Sequence, residues 1–381
     1  MDNVLLGSLE EKFMKKIIIS ANVLFTIANF RKDFIGFLID NGFDVVCIAS
    51  EDELSSNGKL VLDELGAKFI NINVSRKGLN PVEDLKYLYD LYKIYKEENA
   101  DYVFHFTIKP NIYGTIAAKL AGLKSINTIN GLGSAIIGGG ILAKALKFLY
   151  KFSLTFSNRV FFQNEDDKSF FLKNNLVKKE KVSIVPGSGV DTEFFNDCQS
   201  QTKKLTFLLV ARLLKDKGIY EYIEAISKLK QRHNNVEFLL AGPFDNGNPS
   251  AILSSEINMW ENQGIIQYLG KTNNIKEFLS KTDVSVLPSY REGLSRFLIE
   301  SASASKPIIT TNVAGCKDIV VDEFNGFLCD VKDSKSLMES MKKMILLDKE
   351  KMMLMAANSK KTAKGKFDKD IVNNIYFNEI N

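Results

Sequence analysis

Residues 284–302 read VSVLPSYREGLSRFLIESA, and three structural signals follow one another in this stretch. Residues 284–287 form a short and mainly apolar run, which is typical of a strand buried on both faces of a parallel sheet. A polar loop containing proline and glycine comes next, and a pattern with helical periodicity begins near Ser295. Strand, loop and helix in this order form the repeating unit of a doubly wound α/β sheet.

The same unit recurs along the chain in two series. Strand-like runs alternate with helical patterns in the first series, at residues 16–20, 44–49, 68–72, 102–106, 125–128, 159–163 and 182–185. The second series has its runs at residues 205–210, 236–241, 265–268, 284–287, 307–310 and 326–329. Because parallel strands are joined by right-handed crossovers, each series predicts its own doubly wound sheet.

Turn-forming residues separate the two series at positions 186–204, which we interpret as a linker. We therefore predict an α/β protein with two Rossmann-like domains, at residues 14–192 and 193–366, facing a central cleft that holds the ligand. Residues 367–381 have an amphipathic pattern and are predicted to form a helix that packs back on the first domain, after a basic loop at 359–366. Residues 1–13 do not resemble a signal peptide and are interpreted as an N-terminal extension.

The composition excludes several functional classes. The chain has 381 residues, of which 45% are hydrophobic, and a formal net charge of +4. This charge is too small for a dedicated nucleic-acid-binding protein, so no such partner is predicted. The four cysteines show no CxxC spacing and there are only two histidines, which disfavours a metal site or a disulfide framework. The sequence contains no run of about 20 apolar residues, so no membrane-spanning helix is predicted.

Two carboxylates flank the predicted helix start in the quoted stretch. Glu292 lies in the loop and Glu300 in the helix, on the order of 10 Å away at the usual helical rise. Between them, the N–H groups at Gly293, Leu294 and Ser295 offer an anion site at the positive end of the helix. A diphosphate there, with a sugar hydroxyl on one carboxylate and a ribose hydroxyl on the other, fits this spacing. The alternative is a pair of surface glutamates beside a helix terminus.

A pair of cations begins the second series. Arg212 lies at the carboxyl end of the strand predicted at 205–210, and Lys217 follows at the start of the next predicted helix. Two such cations can neutralise a diphosphate, the arginine by a forked contact. A solvated basic turn is the alternative interpretation.

These two motifs resemble those of the retaining GT-B glycosyltransferases of family 4, and the resemblance extends over nearly the whole chain. The family's E-x7-E signature is matched by Glu292 and Glu300 in Tyr290-Arg-Glu-Gly-Leu-Ser-Arg-Phe-Leu-Ile-Glu300. The resemblance implies that Glu292 contacts the donor sugar, that Glu300 contacts the ribose, and that Arg212 and Lys217 grip the nucleotide diphosphate. Ser295 stands where many family members have proline.

The resemblance also extends to weaker motifs. Gly242 lies in a turn similar to the family's loop beside the nucleotide, and Asn274 and Ile275 match the loop that meets the base. For Gly242 the alternative is a plain turn glycine. In the first domain, polar positions resemble those of a subgroup that builds bacterial polysaccharides and lipid-linked glycans. The acceptor-side candidates are Arg31, His105, Lys109, Asn111, Asn130 and Gly131. For His105 a satisfied core or cleft-lining role is the alternative.

Residues 141–156 combine apolar side chains with Lys144, Lys147 and Lys151, which share one face of a helix. This pattern suits a basic helix lying on an anionic membrane. A helix packed on the sheet with a lysine-bearing outer face explains the pattern equally well. The resemblance to enzymes with lipid-linked acceptors favours the membrane.

The resemblance implies a metal-independent enzyme with no cofactor that transfers a sugar from a UDP-sugar to an undecaprenyl-diphosphate-linked saccharide. The subgroup favours an N-acetylhexosamine such as GalNAc, and a peripheral position on the cytoplasmic face of the cell membrane. Two alternatives are a UDP-sugar epimerase of the same fold and a catalytically silent, membrane-associated assembly partner. An epimerase needs acid–base side chains around the sugar, which a histidine-poor sequence hardly supplies.

Overall fold

A computed structural model describes residues 15–51, 57–74, 80–198, 203–272 and 274–381. The predicted extension at 1–13 lies outside the described residues. The strands of the first sheet are β1 (Lys16–Val23), β2 (Asp44–Ser50), β3 (Lys68–Asn71), β4 (Tyr102–Phe106), β5 (Lys124–Ile129), β6 (Arg159–Phe162) and β7 (Val182–Ile184). Those of the second are β8 (Leu205–Val210), β9 (Val236–Ala241), β10 (Gln267–Tyr268), β11 (Val284–Leu287), β12 (Ile308–Thr311) and β13 (Gly326–Cys329).

The helices alternate with these strands, as the sequence predicts. The helices among the strands of the first sheet are α1 (Leu24–Phe30), α2 (Lys32–Asp40), α3 (Gly58–Leu65), α4 (Pro81–Glu98), α5 (Thr115–Ala121), α6 (Gly133–Ile137), α7 (Gly140–Leu154) and α8 (Glu165–Lys173). Those that follow are α9 (Ile219–Lys230), α10 (Ser254–Asn262), α11 (Ile275–Leu279), α12 (Arg296–Ser303), α13 (Ser334–Ile345), α14 (Lys349–Lys366) and α15 (Lys369–Phe377).

Both sheets have the same internal strand order. The first has the order β3-β2-β1-β4-β5-β6-β7 and the second β10-β9-β8-β11-β12-β13. All neighbouring pairs in the second sheet are parallel. In each sheet the order reverses beside the first strand, and ligands of doubly wound folds bind where the strand order reverses, at the carboxyl ends of the strands. In the second sheet this point lies between β8 and β11.

Apolar burial on both faces explains why these segments form strands. In β8 the side chains from Phe207 to Leu209 are fully buried, and in β11 Val284 and Val286 are fully buried as well. A parallel strand covered by helices on both sides shows this continuous burial instead of alternation. Residues 284–302 thus begin in the core, and their polar loop lies at the carboxyl edge of the sheet.

The described residues divide into two compact units. One comprises the chain up to Thr128 together with Phe148–Val160 and Ile380; the other comprises Ile129–Lys147, Phe161–Glu379 and Asn381. The predicted domain boundary at residue 192 falls within the second unit and stays a prediction. Tyr376 of α15 lies edge-to-face against Phe161 of β6, with ring centroids 5.1 Å apart.

The structure corrects one helix prediction. Residues 359–366, predicted as a basic loop, form the end of α14. Alanine and lysine both favour helices, which explains why this stretch continues the helix. Arg31, with a φ of −126°, separates α1 from α2.

Candidate functional site

The loop that follows β11 is held by main-chain hydrogen bonds to two neighbouring loops. The Tyr290 N–H donates to the Asp216 carbonyl at 2.8 Å, and the Glu292 N–H donates to the Ala314 carbonyl at 3.1 Å. Gly315 has a φ of +77°, and a Cβ there would lie 2.5 Å from the Glu292 carbonyl oxygen. The backbone at Glu292 is therefore enclosed by main chain, which positions its carboxylate.

Ser295 begins α12 as its N-terminal cap. Its hydroxyl accepts a hydrogen bond from the Leu298 N–H at 3.4 Å, and its own N–H donates to the Gly315 carbonyl at 3.1 Å. The predicted anion site therefore cannot use the Ser295 N–H. For the N–H groups of Gly293 and Leu294, the described part of the chain provides no acceptor, so these two remain available for an anion.

The structure brings Lys217 and Glu292 together. The Lys217 ammonium donates to Glu292 Oε1 at 2.7 Å, and the two side chains are only 13% and 17% exposed. Gly218 makes this approach possible, because a Cβ at its φ of +73° would lie 2.0 Å from the Pro288 carbonyl oxygen. The cation from the β8 loop and the carboxylate from the β11 loop thus meet where the strand order reverses.

Glu300, the second carboxylate of the signature, is paired within its own helix. The Arg296 Nε donates to Glu300 Oε1 at 2.8 Å, and the same guanidinium reaches the Ser188 hydroxyl at 3.2 Å. Glu300 is 14% exposed. Arg296 was not among the predicted site residues, although the i, i+4 spacing of an arginine and a glutamate on one helix is a visible signal.

Arg212 follows β8 as predicted and is the most accessible of the predicted cations. Its guanidinium lies 3.2 Å from Asp245 Oδ2, and its side chain is 58% exposed. An exposed pair of this kind contributes little to stability. Arg212 is therefore able to exchange Asp245 for a more highly charged anion.

Gly242 lies at the end of β9 in a conformation that only glycine tolerates well. Its φ is +139°, and a Cβ there would lie 1.7 Å from the Ala211 carbonyl oxygen. Its N–H donates to the Gly270 carbonyl at 2.9 Å, and its carbonyl accepts from the Tyr268 hydroxyl at 2.7 Å. Gly242 thus lets the loops after β8, β9 and β10 touch at the base of Arg212.

Asn274 and Ile275 lie at the start of α11, after β10. In the strand order β10-β9-β8-β11, three strand spacings, about 14 Å in all, separate β10 from the strand that leads to Glu292. The structure does not bring them into direct contact with the carboxylates.

A cavity of about 670 Å³ lies beside Glu292, within the second unit. The residues that line it are Asn130, Gly131, Leu132, Gly133, Ile137, Gly138, Asp216, Tyr290, Arg291, Glu292, Gly293, Val331 and Lys332. Two of the predicted acceptor-side residues, Asn130 and Gly131, therefore share a cavity with the predicted donor residues Glu292 and Gly293.

Gly293 has its backbone in close contact with the loop after β5. A Cβ at Gly293 would lie 1.7 Å from the Asn130 carbonyl oxygen. Its carbonyl accepts a hydrogen bond from the Asn164 side-chain amide at 2.6 Å. Asn164 also caps α8 by accepting from the Asp167 N–H at 2.8 Å. Asn164 thus caps α8 and holds the Gly293 carbonyl at the same time.

Sequence reasoning missed Arg291, Asp167 and Lys332. The Arg291 guanidinium pairs with the buried Asp167 carboxylate. Burial raises the pKa of Asp167, and the charge of Arg291 opposes that rise. Lys332 follows β13 with a φ of +59°, and its ammonium lies 4.9 Å from the Tyr290 ring centroid. Arg291 directly precedes the E-x7-E motif, so its position was a signal, whereas nothing local identifies Lys332.

Three acceptor-side candidates form a buried polar network in the first unit. The Lys109 ammonium lies 2.6 Å from Asp84 Oδ1, and Asn111 donates to the Thr128 carbonyl at 2.8 Å. His105 Nε2 lies 3.0 Å from the Tyr95 hydroxyl. His105, Lys109 and Asn111 are at most 6% exposed. The structure gives these side chains a structural role, and their acceptor role stays a prediction.

Arg31, the fourth candidate in this unit, is also buried. It is 2% exposed, and its guanidinium carbon lies 3.8 Å from the Phe106 ring centroid. This stacking of a guanidinium on an aromatic face is a cation–π contact. The predicted contact of Arg31 with a ligand likewise stays a prediction.

Acid is expected to destabilise the protein through His105. Burial lowers the pKa of His105 to about 3. In the unfolded chain the imidazole takes up a proton near pH 6.5. Between these values only the unfolded state binds the proton, so the free energy of unfolding falls as the pH is lowered. Urea unfolding at pH 7 and pH 5 should show a loss of about 2 kcal/mol that is absent from His105→Gln. Equal losses in both proteins would contradict this assignment.

Two features are absent from the described residues. No helix in the described part of the chain is both long and apolar enough to cross a membrane. Within the same residues, no three side chains from histidine, cysteine, aspartate and glutamate come together as they would around a metal ion.

Comparisons with known proteins identify the class to which this fold and site belong. Residues 17–164 match the family model "Glycosyl transferase 4-like", and residues 190–362 match "Glycosyl transferases group 1". The N,N'-diacetylbacillosaminyl-diphospho-undecaprenol alpha-1,3-N-acetylgalactosaminyltransferase of Campylobacter jejuni is 30% identical, over 91% of this chain and 93% of its own. The UDP-Gal:alpha-D-GlcNAc-diphosphoundecaprenol alpha-1,3-galactosyltransferase of Escherichia coli is 28% identical, over 70% and 71%.

A solved structure shows the same fold. The Anabaena protein HepE in complex with UDP superposes with a TM-score of 0.76 at 15% identity, covering 96% of this chain and 99% of its own. The class is thus that of the glycosyltransferases with two Rossmann-like sheets. The chain belongs to the group 1, family 4-like glycosyltransferases. The predicted family, GT-B fold and enzyme class are confirmed.

Proposed function

We propose that this enzyme transfers an N-acetylhexosamine, with GalNAc as the favoured sugar, from a UDP-sugar to an undecaprenyl-diphosphate-linked saccharide, with retention at the anomeric carbon. The Campylobacter relative's name describes transfer of N-acetylgalactosamine to such a lipid-linked sugar, and the Escherichia relative's name describes a UDP-sugar donor. The product would serve the assembly of a bacterial surface glycan.

The main support for this proposal is the hydrogen bond between Lys217 and Glu292 beside the start of α12. The donor diphosphate would be held by Arg212, by Lys217 and by the N–H groups of Gly293 and Leu294. These donors stabilise the charge that develops on the departing UDP, and such preorganised groups typically contribute several kcal/mol. Glu292 would then hold the hydroxyls of the transferred sugar.

The chemical step needs no separate base in this arrangement. The bond from the anomeric carbon to the phosphate oxygen breaks, and its electron pair leaves on UDP. The acceptor hydroxyl oxygen forms the new bond on the same face of the sugar. Its proton passes to the leaving phosphate oxygen. His105 does not take part, because it is buried and its pKa of about 3 makes it a very weak base.

Asn130 supports the placement of the acceptor in the cavity. Its Oδ1 atom is buried and accepts no hydrogen bond from any residue that the structure describes. Leaving such an atom without a partner costs free energy. A hydroxyl of the acceptor sugar would supply the missing donor, next to the backbone of Gly293.

We propose that the enzyme uses no metal ion and no cofactor. In this arrangement Arg212 and Lys217 supply the positive charge that a divalent cation would otherwise bring to the diphosphate. Turnover is therefore expected to persist in excess EDTA.

We also propose that α7 attaches the enzyme peripherally to the cytoplasmic face of the membrane. Ile141, Phe148 and Phe152 are 88%, 69% and 49% exposed, and their spacing places them in one stripe of the helix. Lys144 and Lys151 lie beside this stripe and are exposed. An apolar stripe flanked by cations is typical of helices that lie on anionic lipid. Lys147 differs, since it donates to Asn174 at 3.0 Å.

Reversing the exposed charges of α7 is expected to release the enzyme from anionic vesicles. The Lys144→Glu, Lys151→Glu variant should bind phosphatidylglycerol vesicles at least about tenfold more weakly in a sedimentation assay, because each lysine contributes about 1 kcal/mol near such a surface. The matched control changes the exposed Lys335 and Lys349 to Glu, with the same change in net charge. Equal weakening in both variants would contradict a specific role for α7.

The test of the proposed function is a panel of UDP- and GDP-sugars, offered with and without a prenyl-diphosphate-linked saccharide, with products identified by mass spectrometry. Sugar transfer that requires both a UDP-sugar and the acceptor is the expected result. Conversion of a UDP-sugar to an isomer without acceptor would instead identify an epimerase. Absence of UDP binding by calorimetry would identify a catalytically silent relative.

A further inference from the structure

Lys332 lines the cavity but has no role in the proposed binding of the UDP-sugar donor. It lines the cavity together with Tyr290 and Glu292. No carboxylate in the described part of the chain lies within ion-pair distance of its ammonium, whereas Lys217, Arg212 and Arg291 are each paired with one. The cavity thus contains a positive charge that is not compensated by the protein.

The backbone of Lys332 indicates that its position is not incidental. Its φ of +59° places a non-glycine residue in the left-handed region. Such a conformation costs about 1 kcal/mol or more for a side chain of this type and often occurs at functional sites. Its ammonium lies 4.9 Å from the Tyr290 ring centroid, and the Tyr290 hydroxyl is fixed by donating to Glu221 at 2.7 Å. The turn and the ring together direct the charge to the cavity.

The position of Lys332 in the sheet separates it from the donor diphosphate. Arg212 follows β8 and Lys332 follows β13, and in the order β8-β11-β12-β13 three strand spacings lie between them. The two strands thus lie about 14 Å apart, which is wider than one diphosphate. Glu292 lies in the loop after β11, and β11 is between these two strands. Arg212 and Lys332 therefore suit two different anions, one on each side of the reacting sugar.

We infer that Lys332 binds the diphosphate of the acceptor lipid. This inference rests on the proposed function, with an acceptor whose reacting sugar is joined directly to the lipid diphosphate, as in the name of the Campylobacter relative. The reacting hydroxyl must lie beside Glu292, so the acceptor diphosphate lies one sugar ring further away. Two diphosphates at such a short distance repel each other, and a separate cation for each reduces that repulsion. The apolar residues Leu132, Ile137 and Val331 of the same cavity suit the first units of the lipid chain.

The experiment measures the binding of geranyl diphosphate, a prenyl diphosphate without a sugar, to the full-length protein saturated with UDP. By calorimetry, Lys332→Asn is expected to raise the Kd of geranyl diphosphate about tenfold or more, since the loss of a charge-assisted contact to a diphosphate is worth at least this factor. Asparagine tolerates the left-handed conformation, so this variant retains the backbone. Lys332→Arg is expected to keep the Kd within about threefold, and Lys335→Asn serves as the matched control.

Three results would overturn the inference. One is that geranyl diphosphate does not bind the wild type in the presence of UDP. Another is that Lys332→Asn binds it as tightly as the wild type does. The last is that Lys332→Asn weakens the binding of UDP as much as that of geranyl diphosphate, which would place Lys332 in the donor site. Failure of the proposed function is distinguishable, because it appears as absence of UDP binding or of sugar transfer in the wild type.

Discussion

The variant Glu292→Gln is expected to lose sugar transfer by about 10²- to 10³-fold in kcat while retaining its affinity for UDP within about threefold. Glutamine has the size of glutamate but neither its charge nor its two acceptor oxygens. The Lys217 ammonium, which now lies 2.7 Å from the carboxylate, remains available for the diphosphate. Transfer is measured with a UDP-sugar and a prenyl-diphosphate-linked acceptor, and UDP affinity by calorimetry.

Glu350→Gln is the matched control for this prediction. Glu350 is exposed in the first turn of α14 and does not line the cavity, so its variant should transfer at the wild-type rate. Equal losses of transfer and of UDP affinity in Glu292→Gln would contradict the assignment. Such a result would mean that Glu292 supports the nucleotide site as a whole and does not act on the sugar.

The variant Gly242→Ala is expected to lower the free energy of unfolding by about 3 kcal/mol or more, and to abolish UDP binding in the molecules that stay folded. The added Cβ would lie 1.7 Å from the Ala211 carbonyl oxygen, and a φ of +139° is strained for alanine. Ala211 directly precedes Arg212, so relief of the clash displaces the arginine. Thermal and urea unfolding measure the first effect and calorimetry with UDP the second.

Gly365→Ala is the control for this substitution. Gly365 lies in α14, where an added Cβ meets nothing within 4 Å. Alanine has a higher helix propensity than glycine, so this change should raise the free energy of unfolding by up to about 1 kcal/mol. If Gly242→Ala were as stable as Gly365→Ala, the loops after β8 and β9 would not be in contact as described.

The strands and their division between two sheets were predictable because their signals are local. A mainly apolar run between turn residues, such as Val284–Leu287, requires no knowledge of distant partners. The cation at Arg212 and the carboxylate at Glu292 were predictable for the same reason, since each lies in the loop that follows a strand. The sequence positions of Lys217 and Glu292 then made their meeting at the carboxyl edge of one sheet a reasonable expectation.

The remaining features depend on residues far apart in the chain. His105, Lys109 and Asn111 resemble a polar ligand site, but Lys109 is neutralised by Asp84 and His105 contacts Tyr95, both from α4. No local pattern shows that this helix covers them. Similarly, the pairing of Arg291 with Asp167 joins positions 124 residues apart. The polar character of these residues was evident, whereas their burial was not.

If α7 rests on the bilayer as proposed, its short connection to the cavity limits which glycans the enzyme can extend. Gly138 lines the cavity, and α7 begins at Gly140. Two residues of chain span at most about 7 Å. If α7 rests on the bilayer, the transfer point lies close to the lipid headgroups. The enzyme is then suited to the first additions of a growing chain, whose end is still near its lipid, and a long finished oligosaccharide would extend past it.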